Sequence, residues 1–188
     1  MNKIVDIVDS QIIASVKNEA HLDLALKSKI NIIFLMTGNL MSTEKTIKKI
    51  HGYDKKVFLH IDFIEGLANS KSAIQYISEV WKPDGIITTR TNLIKYARSL
   101  KLLAIQRIFL IDGNALKNGI DMAHTCKPDA IEVLPGIVPR VIDDITQLTE
   151  LPIIAGGLIK NKLDIMSGLK AGALAMSSGN PALWNLEF

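Results

Sequence analysis

At 188 residues, 48% hydrophobic and 22% charged, with a mean hydropathy of +0.23, the chain has enough apolar mass to fill one core without disulfides. Its single cysteine, Cys126, excludes an internal disulfide, and apolar stretches such as Ile30 to Met36 fall far short of the roughly 20 residues that a membrane span requires. The formal charge of +3 neither requires nor excludes a polyanionic partner, so any nucleic-acid surface has to be a local patch.

Short aliphatic runs recur near Ile12, Ile32, Val57, Ile86, Ala104, Ile131, Ile153 and Leu174, each leading into a polar turn and then a helical pattern. Continuous aliphatic runs with few aromatics suit parallel strands covered on both faces. Helices are predicted to begin near Asn18, Ser42, Ser70, Thr91, Asn114, Val138, Asn161 and Asn180, several behind a capping residue. The segment Lys82-Pro83-Asp84-Gly85-Ile86-Ile87 recurs as Lys127-Pro128-Asp129-Ala130-Ile131-Glu132, and Lys170-Ala171-Gly172-Ala173-Leu174 echoes it. That spacing corresponds to two strand–helix units, and eight such units close into a small (β/α)8 barrel with short loops. No Ser/Gly/Pro-rich linker interrupts the rhythm, so one domain over 1–188 is expected. No basic start followed by an apolar segment and a cleavage site opens the sequence, which predicts a cytoplasmic location.

In such a barrel, functional groups sit where strands end, and these ends are polar: His60-Ile61-Asp62, Thr88-Thr89-Arg90, Gln106-Arg107, Glu132 to Gly136, Ala155-Gly156-Gly157 and Ser177-Ser178-Gly179. The last two fit a phosphate site. Gly156 and Gly157 let backbone approach an anion, and Ser177, Ser178, Gly179 and Asn180, with Pro181 at a first helical position, fit a helix start that accepts one. The same residues also read as tight turns with an ordinary cap.

His60 and Asp62, two apart on a strand, are expected to face the same way, as acid and base or as a hydrogen-bonded pair. A metal would rest on these two and Glu132, with no His/Cys cluster to support it, so no metal and no cofactor is expected. Arg90 and Arg107 suit a phosphate or carboxylate, or else pair internally with Asp62 or Glu132. A carboxylate beside a phosphate repels it, which predicts Glu132 at the hydroxyl end of any ligand. No lysine falls within a predicted strand, so a strand-borne Schiff base has no candidate, and Cys126 reads as packing.

Taken in order, Leu59-His60-Ile61-Asp62 with Gly66-Leu67, Gly85-Ile86-Ile87-Thr88-Thr89-Arg90, Ala104-Ile105-Gln106-Arg107, Lys127 to Gly136 and Ala155-Gly156-Gly157 resemble the glycerol uptake operon antiterminator regulatory family. The similarity runs from the third strand to Trp184, with a looser match before it. It implies a barrel that recognises glycerol 3-phosphate and binds a leader mRNA of glycerol-utilisation genes, without catalysis. The ligand would lie against His60, Asp62, Arg90, Arg107, Glu132, Gly136, Gly156, Gly157, Ser177 and Ser178.

The alternative is a barrel enzyme acting on a small sugar or polyol phosphate, with His60, Asp62 or Glu132 as acid–base groups. A glycerophosphodiester hydrolase would need a carboxylate cluster and an early histidine that the first strand lacks. RNA is expected outside the mouth on the second helix. There Lys45, Lys48 and Lys49 share one face, with Lys55 and Lys56 following, although lysines so spaced also form ordinary solvated faces. Ligand and RNA sites that influence each other must share a two-state element, for which a homodimer interface is one place.

Overall fold

The computed structural model describes residues 4–187. The strands are β1 (Ile12–Val16), β2 (Ile32–Leu35), β3 (Lys56–His60), β4 (Gly85–Thr88), β5 (Leu103–Phe109), β6 (Ala130–Leu134), β7 (Ile153–Gly156) and β8 (Ala175–Ser178). Between them lie α1 (Glu19–Lys27), α2 (Thr43–His51), α3 (Lys71–Tyr76), α4 (Thr91–Ser99), α5 (Gly113–Cys126), α6 (Pro139–Leu148) and α7 (Lys162–Lys170). All eight strands are parallel and pair in sequence order, with β8 returning to β1, so the sheet closes as a (β/α)8 barrel.

Local chemistry accounts for most helix starts. Asn18, Ser70, Asp112 and Asn161 each accept the backbone N–H three residues on, and Asp164 completes a capping box with Asn161. The eighth helix is only a single 3-10 turn, Pro181–Leu183, at whose start the Asn180 side chain accepts the Ala182 N–H. The third helix runs on as a π-helical turn, Ile77–Trp81, ending at Lys82 in the left-handed conformation.

Alternation along the strands separates two cores. Ile13, Ile32, Phe34, Phe58, Ile87, Ile105 and Ile154 point into the barrel, joined by Ile4 from the turn before β1. Their neighbours, such as Ile33, Leu59, Ile86 and Ile131, face the helix shell against Ile47, Ile74, Leu93 and Trp81. Two residues beyond the inner apolar positions, the inward sequence becomes Ser15, His60, Arg107, Glu132 and Ser177, all buried. The barrel is therefore apolar below and polar at the mouth.

Two strand boundaries differ from the sequence expectation. β5 continues to Phe109, so Arg107 lies inside the strand, and Lys56 opens β3. Lys56 sits at the strand's start, away from the mouth, and pairs with Asp84 at 3.1 Å.

The internal repeat is a device of that lower end. Lys82 and Lys127 each end a helical segment in the left-handed conformation, and the aspartate two residues later closes onto the preceding strand. Asp84 accepts the Val57 N–H and Asp129 the Ala104 N–H, each at 2.9 Å. Replacing Asp129 by alanine leaves the Ala104 donor unmet and should cost about 1–3 kcal/mol, read as a lower urea midpoint at unchanged slope.

Candidate functional site

The polar mouth divides into two clusters. On the β5 to β8 side, Arg107 Nε donates to Glu132 Oε2 at 2.7 Å, and Ser177 Oγ donates to Glu132 Oε1 at 2.8 Å. All three side chains are buried. Register sets Arg107 directly opposite Glu132 across β5 and β6. Gly156 is glycine because a Cβ there would lie 2.0 Å from Ser177 Oγ. On the β3–β4 side, Asp62 accepts Thr88 Oγ1 at 3.0 Å and Arg90 Nε at 3.4 Å. Asn69 joins this group once its amide is oriented to donate to Asp62 and accept from Arg90.

His60 stands apart in the interior. Neither ring nitrogen has a hydrogen-bond partner, Nδ1 is 3.7 Å from Asp62 Oδ2, and the ring meets Phe63 edge-on at 4.5 Å. Burial, and then the Arg107 guanidinium, push its pKa down to about 3. His60 and Asp62 do adjoin, but not by strand alternation. The strand ends at His60, and Asp62 returns on a 3-10 turn, Ile61–Phe63.

Above the first cluster opens a pocket of about 120 Å³, lined by Arg107, Glu132, Gly157, Ser177 and Ser178 together with Ser15, Lys17, Met36, Leu134, Leu158, Ile159 and Gly179. It is smaller than the roughly 300–1,000 Å³ of drug-sized ligand sites, so it suits a compact molecule. Gly157 and Leu158 both adopt positive φ, +81° and +62°, and a leucine in that region marks local strain. Lys17 is exposed immediately after β1 and has no ion-pair partner among the described residues.

Of the residues expected at a ligand, Arg107, Glu132, Gly157, Ser177 and Ser178 meet in the pocket. His60, Asp62, Arg90, Gly136 and Gly156 do not line it. Gly136 is explained by packing instead: its N–H donates to the Gly156 carbonyl, and a Cβ would meet the Gly156 nitrogen at 2.6 Å. Glu132 bonds Ser177, and its charge is balanced by Arg107. The Asn180–Pro181 turn is capped by its own side chain and presents no long helix dipole. Lys17 and Ser15 were missed, although reading the first strand's end like the others would have reached them.

Among the described residues no group of His, Cys, Asp or Glu is arranged to hold a metal, and no helix is long and apolar enough to cross a membrane. Cys126 donates its thiol to Gln106 Oε1, and burial raises its pKa to about 11. The lysine face is weaker than its spacing suggests. Lys48 pairs with Glu44, Lys49 with Asp23 at 2.7 Å, and Lys55 is buried, donating to the carbonyls of Ser28 and Ile30; Lys45 remains exposed.

A family model described as glycerol-3-phosphate responsive antiterminator matches residues 12–184. An uncharacterised protein of Escherichia coli (strain K12), YgcP, is 35% identical over 175 residues, covering 93% of this chain and 92% of its own. The crystal structure of a glycerol uptake operon antiterminator regulatory protein from Listeria monocytogenes superposes with a TM-score of 0.91 at 35% identity, over 94% of this chain and 95% of that one. A glycerol uptake operon antiterminator-related protein from Thermotoga maritima gives a TM-score of 0.83 at 28% identity, over 92% and 96%.

The buried His60 carries a pH signature. Its folded pKa of about 3 lies below the 6.5 of an unfolded histidine, so above pH 6.5 both states are neutral and the site adds no pH dependence. As pH falls from 6.5 toward 3, only the unfolded chain takes the proton, and stability drops by up to about 1.4 kcal/mol per unit. His60→Gln should remove this part of the slope between pH 6.5 and 5 in urea unfolding; equal slopes in both proteins would place the acid sensitivity elsewhere.

Proposed function

The chain belongs to the glycerol-3-phosphate responsive antiterminator family, and on that premise we propose that it acts in the cytoplasm as one ligand-binding regulatory domain. In this reading glycerol 3-phosphate enters the mouth pocket, and the occupied protein binds the leader mRNA of glycerol-utilisation genes.

The observation that carries the ligand assignment is the pocket's charge layout. Lys17 is an exposed cation without an ion-pair partner among the described residues, beside the loops of Gly157–Leu158 and Ser178–Gly179, where these barrels hold phosphate. The floor is the Arg107–Glu132–Ser177 network, which can exchange hydrogen bonds with hydroxyls. The phosphate therefore lies at the rim and the glycerol points down. Because Arg107 balances Glu132, the floor carries no net charge to repel the anion.

Binding without turnover is favoured by how the acid–base candidates are engaged. His60 is held neutral and weakly basic, Asp62 is hydrogen-bonded by Thr88 and Arg90, and Glu132 is bonded on both oxygens. Glu132, which lines the pocket, is held as a carboxylate by Arg107, and His60 and Asp62 do not line it.

Glycerol 3-phosphate at about 100 times its Kd should stabilise the fold by roughly 2.7 kcal/mol, with glycerol far weaker. Lys17→Ala should weaken ligand about tenfold to hundredfold, the loss of one charge-assisted hydrogen bond of about 1.5–3 kcal/mol. Trp184 supplies a readout, since its indole N–H donates to the carbonyl of Ser178 at the pocket wall. Unchanged melting and emission over a wide ligand range would refute the pocket assignment. Equal affinity for leader transcript with and without ligand would refute the sensor, and consumption of glycerol 3-phosphate would favour an enzyme.

A further inference from the structure

The strand ends at the mouth expose large apolar side chains. Phe63 after β3 and Phe109 at the end of β5 are 52% and 53% exposed, and Ile111 is 86% exposed. Val138 before α6 and Leu158 after β7 continue the series, so four strand ends, β3, β5, β6 and β7, carry exposed apolar side chains in barrel order, with Arg90 at β4 among them. Exposed apolar side chains gathered at one end of a fold mark an interaction site.

Charge indicates what covers it. Arg90, half exposed, stands on β4 between Phe63 and Phe109, and Arg140 is exposed beside Val138 with no ion-pair partner among the described residues. Of the carboxylates in the same sector, Asp62 shares its charge with Arg90, Asp112 and Asp164 each accept backbone N–H groups at a helix start, and Glu65 is exposed beside Phe63. Aromatic faces alternating with guanidinium groups are the chemistry that holds unpaired bases and their phosphates. We infer that single-stranded RNA lies across this rim, over the mouth of the pocket, with Phe63 and Phe109 as stacking platforms and Arg90 and Arg140 on phosphates.

This inference rests on the reading of the chain as a leader-mRNA binder, and it replaces the second helix as the contact surface. It also supplies the link to the small ligand. Leu158 belongs to both surfaces, lining the pocket and standing 63% exposed on the rim in a left-handed conformation. A phosphate seated against Gly157–Leu158 would hold that segment in the position that RNA meets. Reciprocity then requires RNA to tighten the ligand by the same factor.

The test uses the full chain saturated with glycerol 3-phosphate and a fluorescent leader transcript of a glycerol-uptake operon. Phe63→Ala and Phe109→Ala should each weaken RNA about 5- to 150-fold, the equivalent of about 1–3 kcal/mol per stacked base, while ligand affinity stays within about twofold. Charge reversal at Lys48 and Lys49 should leave RNA affinity unchanged. As a check independent of variant folding, photocrosslinking of 4-thiouridine transcript to the unmodified protein should label peptides containing Phe63 or Phe109. Wild-type RNA binding that survives both substitutions, or crosslinks confined to α2, would overturn the rim assignment alone. A self-association that Phe109→Ala abolishes without loss of RNA would make the rim a contact between copies instead. No transcript binding by the wild-type protein, with or without ligand, would overturn the antiterminator reading and the rim with it.

Discussion

The buried pair of Arg107 and Glu132 is the constraint around which the mouth is built. Two charges removed from water require close geometry and further hydrogen bonds, and Glu132 obtains them from Arg107 Nε and Ser177 Oγ. Accommodating Ser177 in turn forbids a side chain at position 156. Three strands, β5, β6 and β8, are thereby tied together by one carboxylate, with Gly156 of β7 leaving room for it. The pocket exists above this network because its polar atoms are already satisfied and can serve as a rigid floor.

Below that level the barrel is filled by aliphatic and phenylalanine side chains, and the transition is abrupt. Phe58 is followed two residues on by His60, Ile105 by Arg107, Ala130 by Glu132 and Ala175 by Ser177. Packing at the lower level fixes the strands, which lets the upper level carry groups that would otherwise destabilise a core. His60 is the extreme case, a buried ring without a hydrogen-bond partner, kept uncharged by its surroundings.

The two halves of the mouth differ in chemistry. The β7–β8–β1 side carries glycines, serines and Lys17, whereas the β3–β6 side carries the Asp62–Arg90 pair and exposed aromatic and aliphatic side chains. On the proposed reading, a small ligand and a long polyanion share one face. Leu158 stands where the two meet.

Several features of this protein were legible in its sequence because they depend on residues close together along the chain. The eight strands follow from aliphatic runs, and the helix starts at Asn18, Ser70 and Asn161 follow from side chains that reach only three residues ahead. Gly157 was recognisable for the same reason. The choice of partners was not. Asp62 and Glu132 were both available to Arg90 and Arg107, and only the register of β5 against β6 assigns Arg107 to Glu132. The extra length of β5, the burial of Lys55 and the loss of an eighth helix likewise depend on what packs alongside. Lys17 shows the limit most plainly. Its place just after β1 marks it as a strand end, but it lines one pocket with Ser178 and Gly179 only because closure of the barrel sets Ala14 opposite Ser178 across β1 and β8. Alternation and capping are local properties that a sequence determines by itself, whereas a site assembled at the seam of a closed sheet is decided by the tertiary structure that brings the two ends of the chain together.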